Sequence, residues 1–243
     1  MKAVILAAGM ATRLRPLTDH TPKCLLKIGD RSLLERAIDN LLVNGIKELV
    51  IVTGYLQEQI VSLVDKRYPE LKVEYIFNKD YATTNNIYSL WLVKNAVAHS
   101  DVLLLDSDIL FDSELIKALL NSSFTNCLAL NNHPLGEEEI KVIPDDNGFV
   151  KEISKTCSIP DAIGESIGIE KMDASYMEVL FTELDQMILQ EKLVGVFYEM
   201  AFERLIAKGK TFGIVDTSSF FSMELDTVED FEQATSKIPP HLL

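Results

Sequence analysis

Apolar positions along this chain follow two periods. Lys2 to Ala8, Leu49 to Thr53 and Val102 to Leu105 are short, almost wholly apolar runs, and helix-patterned segments separate them. Such runs are strands buried on both faces, so their alternation with helices predicts βαβ crossovers and a mostly parallel sheet. Between the first two, Ser32-Leu33-Leu34-Glu35 has the form of a capping box. Leu33, Leu34, Ala37, Ile38, Leu41 and Leu42 then share one helical stripe that Asn44-Gly45 ends. Asp112 is placed to cap another helix, carrying Leu115, Ile116, Leu119 and Leu120.

The second half is less regular. Short strands are expected near Ile140 to Ile143, Phe149 to Ile153 and Ile163 to Ile169, punctuated by Pro144-Asp145-Asp146-Asn147-Gly148 and Pro160-Asp161. Helices are expected over about Ala174 to Gln190 and Val196 to Ala207, then a strand near Thr211 to Val215 and a last helix capped by Thr227 with Asp230. No repeat or long linker interrupts the pattern. The expected fold is α/β, a Rossmann-like, mostly parallel mixed sheet flanked by helices, with a smaller strand-rich lobe. One domain, 1–243, is expected, its halves meeting near residues 130 and 131.

Composition narrows the partners. The chain has 243 residues, 47% apolar and 25% charged, enough for a substantial core without a disulfide or structural metal. With 23 Lys plus Arg against 37 Asp plus Glu, its net charge of −14 repels nucleic acid and anionic membranes at long range. A phosphorylated ligand therefore has to be held by a local group of cations, backbone N–H groups or a divalent metal. Cys24, Cys127 and Cys157 are odd in number and far apart, as expected of a reducing compartment. The apolar start is too short for a leader or spanning segment and runs into Arg13 and Arg15, so a cytoplasmic protein is expected.

Two stretches carry candidate chemistry. The first strand leads into Ala7-Ala8-Gly9-Met10-Ala11-Thr12-Arg13, followed by Thr21-Pro22-Lys23. In an open parallel sheet ligands sit beyond the carboxyl ends of strands, where small residues let backbone N–H groups approach a phosphate. Taken as residues alone, the loop reads almost equally well as a solvated turn with surface cations. The third strand ends in Asp106-Ser107-Asp108, carboxylates at i and i+2 that would share one side of an extended chain. Asp226 stands at another expected strand end. Carboxylates at the mouth of a sheet suit a hard cation such as Mg²⁺. Asp106 and Asp226 can equally be spent on backbone hydrogen bonds or on starting a helix.

Leu6 to Arg13, Thr21-Pro22-Lys23, Asp106-Ser107-Asp108 and Glu224-Leu225-Asp226-Thr227 together resemble the nucleotidyltransferase family, which joins an NTP to a phosphorylated acceptor. Within it, the stretch Asn78 to Lys94 is similar to that of bacterial CTP:phosphocholine cytidylyltransferases. The resemblance implies that Leu6, Ala7, Ala8 and Gly9 line the base and ribose pocket, with Asn78, Thr83 and Thr84 at base-reading positions. It implies that Arg13 and Lys23 hold the triphosphate, and that Asp108 and Asp226 hold catalytic Mg²⁺. Two positions depart from the family pattern: Ala11 replaces a usual second glycine, and Ser222 stands where a Trp often precedes the final Glu-x-Asp.

The expected partners are thus a nucleoside triphosphate, CTP by preference, and a small phosphorylated acceptor such as phosphocholine or an aminoalkyl phosphate or phosphonate. Oligomeric state is left open. Aromatic faces and carboxylates hold cationic head groups. Tyr198 and Glu199 are the expected pair for this, with Glu165 and Tyr88 behind them. Tyr198 also sits at helical spacing beside Phe197, Met200 and Ala201, which would suit plain packing, while Trp91 shares a stripe with Ile87 and Leu90 and is expected in the core. Two other readings remain at this point. One is a sugar-1-phosphate nucleotidyltransferase; the other is a non-catalytic nucleotide sensor, which would have no need of the Asp108, Asp226 and Lys23 set.

Overall fold

The structure is a computed structural model that describes residues 1–242. Its first half contains β1 (Lys2–Ala7), the two-residue strands β2 (Lys27–Ile28) and β3 (Arg31–Ser32), α1 (Leu33–Val43), β4 (Glu48–Thr53), α2 (Gln57–Arg67), β5 (Lys72–Phe77), α3 (Asn86–Leu92), β6 (Val102–Asp106), β7 (Ile109–Phe111), α4 (Ser113–Asn121) and β8 (Cys127–Asn131). The second contains β9 (Lys141–Pro144), β10 (Val150–Ser154), β11 (Gly164–Met172), α5 (Ala174–Asp185), α6 (Glu199–Ala207), β12 (Gly213–Asp216), β13 (Ser222–Glu224) and α7 (Val228–Lys237).

A nine-stranded mixed sheet organises these elements. Strands β6, β1, β4 and β5 run parallel side by side. The antiparallel β11 then joins β6 to β8 and to β9 of the second half. The nearly unbroken apolar runs explain the arrangement, because successive residues face opposite sides. Val4, Leu6, Val50, Val52 and Leu104 pack into one core, and Ala3, Ile5, Leu49, Ile51, Leu103 and Leu105 into the other. The capping boxes of α1 and α7 form as their sequences require, with the Ser32 and Thr227 hydroxyls accepting from the backbone N–H of Glu35 and Asp230.

Two helix limits differ from expectation. The helix from Ala174 is regular only to Asp185 and continues to Gln190 as a π turn, while α6 begins at Glu199 rather than Val196. Among the described residues no helix is long and apolar enough to cross a membrane.

A third, small core positions the site. Leu14, Ile28, Leu33, Leu110, Leu225, Phe231 and Ala234 bring together the loop after β1, strand β7 and the segment from β13 into α7.

Candidate active site

The carboxyl ends of β1 and β6 open into a cleft of about 930 Å³, within the range of small-molecule sites. Leu6, Ala7, Ala8 and Gly9 form one wall. Close approach of neighbouring backbone needs a glycine there: a Cβ on Gly54 would meet the Ala8 carbonyl oxygen at 2.5 Å, and Tyr55 N–H donates to that same oxygen at 3.1 Å. The loop beyond turns at Ala11, whose φ of 46° lies in the left-handed region. That is the conformation a glycine adopts without strain, which explains physically why Ala11 is a departure.

The separated acidic residues meet because β13 pairs antiparallel with β7. Glu224 lies opposite Ile109, and Leu225 N–H donates to the Asp108 carbonyl at 3.1 Å. Asp108, Glu224 and Asp226 each offer a carboxylate oxygen within 4.8 Å of the others. Asp226 is fixed from behind by the α7 capping box, since its N–H donates to Asp230 Oδ2 at 3.1 Å.

Both predicted cations arrive at the same place. Lys23 Nζ donates to Asp108 Oδ2 at 2.7 Å and also to Asp226, and Arg13 Nη2 donates to Asp226 Oδ2 at 2.6 Å. Although burial works against it, the Asp108 and Asp226 carboxylates hold the Lys23 ammonium above its ordinary value. Burial likewise opposes ionisation of Asp226, yet Lys23 and Arg13 keep its carboxyl below the usual range. Glu224 has no such cation bonded to it, and burial with the nearby Asp108 and Asp226 charges pushes it up to about 8. Glu224 is a member of this set that was not expected from the sequence. Its signal was the i, i+2 spacing to Asp226 in an extended segment.

The other expected residues divide. Asn78 and Thr84 line the cleft, with Asn78 Nδ2 donating to Thr84 Oγ1 at 3.2 Å and to Ser89 Oγ at 3.1 Å. Thr83 is exposed outside the cleft, its hydroxyl donating to the Asp80 carbonyl at 3.2 Å. Tyr88 is also outside: its hydroxyl donates to Asp80 Oδ2 at 3.3 Å and its ring leans on Trp91. Glu165 and Glu199 line the cleft, as does Ser222, whose hydroxyl accepts from Asn131 Nδ2 at 3.3 Å. Glu165 Oε2 lies 2.8 Å from His133 Nε2, and against partial burial it holds the His133 imidazolium above its usual range.

Tyr198 is not an aromatic wall. It is fully buried, its ring edge-on to Phe202, and only its hydroxyl points toward the site. Phe202, one turn on, takes the ring into the core. Asp106 also departs from expectation. The chain turns after β6, so Asp106 and Asp108 separate: Asp108 meets Lys23, while Asp106 accepts from Tyr198 Oη at 3.2 Å. Gly168, at φ 72°, leaves the room this needs, for a Cβ there would come within 2.6 Å of Asp106 Oδ2.

A glycine-containing loop at a strand end, two cations and three clustered carboxylates meet in one cleft, an arrangement chemically able to bind phosphates and a divalent cation. The family model described as "Nucleotidyl transferase" matches residues 2–126. The chain belongs to the nucleotidyl transferase family. It is 31% identical to a choline-phosphate cytidylyltransferase of Streptococcus pneumoniae over 96% of both chains. The solved structure of a CTP:phosphocholine cytidylyltransferase from Streptococcus pneumoniae superposes with a TM-score of 0.77 at 28% identity, covering 97% of each chain. A CMP-5'-(3-aminopropyl)phosphonate synthase of Streptomyces rubellomurinus is 27% identical over 99% of this chain, which spans 39% of that relative. The present nucleotidyl transferase is therefore similar over nearly its whole length to enzymes named for cytidylyl transfer.

Proposed function

We propose that this nucleotidyltransferase joins CTP to a small aminoalkyl phosphate or phosphonate, or to phosphocholine, with release of pyrophosphate. The observation that carries the reading is the meeting of Asp108, Glu224 and Asp226 with Lys23 and Arg13 beside the Leu6 to Gly9 wall. Full-length similarity to relatives named cytidylyltransferases supports CTP and a head group of this kind.

The donors suit Mg²⁺, because all three are carboxylates and a small hard cation prefers oxygen. Asp108, Glu224 and Asp226 would hold it, and when bound it would screen the repulsion between the two reacting anions.

The chain's own residues do the positioning. Leu6 to Gly9 bring backbone against the base and ribose, and the polar groups of Asn78 and Thr84 border the same wall. Lys23 and Arg13 bind triphosphate oxygens and neutralise charge on the departing pyrophosphate. An acceptor phosphate is an anion near neutral pH and needs no protein base. Rate enhancement then comes mainly from holding two anions in line within a shaped cleft.

The reading is tested by pyrophosphate release with CTP, UTP, GTP and dTTP, each against 2-aminoethylphosphonate, phosphocholine and glucose 1-phosphate. CTP with 2-aminoethylphosphonate or phosphocholine should give the highest kcat/KM. Preference for glucose 1-phosphate with any nucleotide would replace this reading by sugar-nucleotide synthesis.

A further inference from the structure

A second group of acidic side chains, bonded to neither Lys23 nor Arg13, lies in the wall of the same cleft. Glu199 opens α6 and is only 5% exposed, yet it lines the cleft and its Oε2 is buried with no hydrogen-bond partner. Asp106 and Ser166 line the cleft with it. Behind them Glu170 is fully buried, 3.3 Å from Tyr198 Oη and accepting from Ser166 Oγ at 3.4 Å.

When ionised, the group is short of donors. Tyr198 carries one hydroxyl hydrogen, but its oxygen is in reach of both Asp106 and Glu170. Among the described residues no lysine or arginine bonds Asp106, Glu170 or Glu199. The nearby cation Lys155 has its Nζ 3.2 Å from Glu138 and 4.8 Å from the centre of the Phe197 ring. Buried acceptors left without donors are costly, so whatever fills this wall should bring both positive charge and hydrogens.

Tyr81, Phe197 and Phe221 line the cleft as a whole, but the positions beside Glu199 offer no free cage of aromatic faces for a quaternary ammonium. The Tyr198 ring is packed in the core, Phe197 already faces Lys155, and position 222 is serine. A quaternary ammonium has charge but no N–H, whereas a primary ammonium has three donors. Resting on the cytidylyl-transfer reading above, we infer that the acceptor's head group is a primary ammonium seated against Glu199 and Asp106, with a trimethylammonium a poor substitute. The site thus selects among acceptors by hydrogen-bond donors rather than by an aromatic cage.

The test is pyrophosphate release with CTP and Mg²⁺ from phosphoethanolamine, its N-methyl, N,N-dimethyl and N,N,N-trimethyl forms, and 2-aminoethylphosphonate. The expected result is a fall in kcat/KM of at least tenfold from the primary to the quaternary amine, mostly through KM. Glu199→Gln should raise KM for the primary amines at least tenfold, leave KM for CTP unchanged and shrink the preference between head groups. Equal or better turnover of phosphocholine by the native enzyme overturns the inference while keeping cytidylyl transfer. So does a Glu199→Gln enzyme whose preference is unchanged, which would make Glu199 a protonated structural group. Absence of turnover with every acceptor would instead remove the cytidylyl-transfer reading, and this inference with it.

Discussion

Lys23 Nζ lies 2.7 Å from Asp108 Oδ2, tying the loop that follows β1 to the turn that follows β6. The same ammonium bonds Asp226, so one cation holds together carboxylates far apart in the chain. Lys23→Met should lower kcat by about 10²–10³, the usual loss for one preorganised charge. It should also destabilise the fold. Removing one partner of a fully buried pair costs about 3–5 kcal/mol, but Asp108 and Asp226 keep about a quarter of their side-chain surface in solvent. A loss of about 1–3 kcal/mol is therefore expected in metal-free buffer. Thermal melts with and without Mg²⁺ would check this, since the divalent ion should restore part of the loss.

Glu224 is the third carboxylate of the cluster and bonds neither cation. Glu224→Gln should raise the Mg²⁺ concentration for half-maximal activity about tenfold, the lower end of what a displaced ligand or its support costs. A Mn²⁺ titration followed by electron paramagnetic resonance measures the same change without turnover. An unaltered metal requirement would remove Glu224 from the set.

Burial pushes the Glu199 carboxyl up to about 7, with Lys155 opposing. In the unfolded chain it titrates near 4.5. The native state thus keeps a proton that the unfolded state releases, and the sign follows. This stabilising contribution is present below about pH 4.5 and is lost as pH rises through about 7. Above that, ionised Glu199 costs on the order of 3 kcal/mol, the worth of a rise from 4.5 to about 7. Glu199→Gln cannot ionise, so in urea melts it should be more stable than the native protein at pH 8, with the gap closing toward pH 5. A gap that does not change with pH contradicts the assignment.

Strands buried on both faces were legible from sequence because nothing polar interrupts them. At β1, β4 and β6 the apolar run and the strand nearly coincide. The edge strand β5, by contrast, alternates Lys72, Glu74 and exposed Phe77 with half-buried residues, so no unbroken run marked it. Helix α2 was equally quiet, with only Ile60 and Val64 buried.

At the site, Arg13, Lys23, Asp108 and Asp226 could be assembled from motif order, because their positions follow strand ends. Tyr198 could not be assigned, since helical spacing says which residues share a face but not which face a neighbouring ring such as Phe202 will claim. Thr83 and Tyr88 were drawn off by local hydrogen bonds to Asp80, which no periodicity reveals.

Steady-state pyrophosphate release by native and Asp108→Asn enzyme, with CTP, Mg²⁺ and 2-aminoethylphosphonate, beside circular dichroism of both, tests the role of the carboxylate cluster most directly. A loss of about 10²–10³ in kcat with an unchanged dichroism spectrum is expected, because Lys23 retains Asp226 as partner while the cluster loses a carboxylate. An Asp108→Asn enzyme that turns over at close to the native rate would contradict that role.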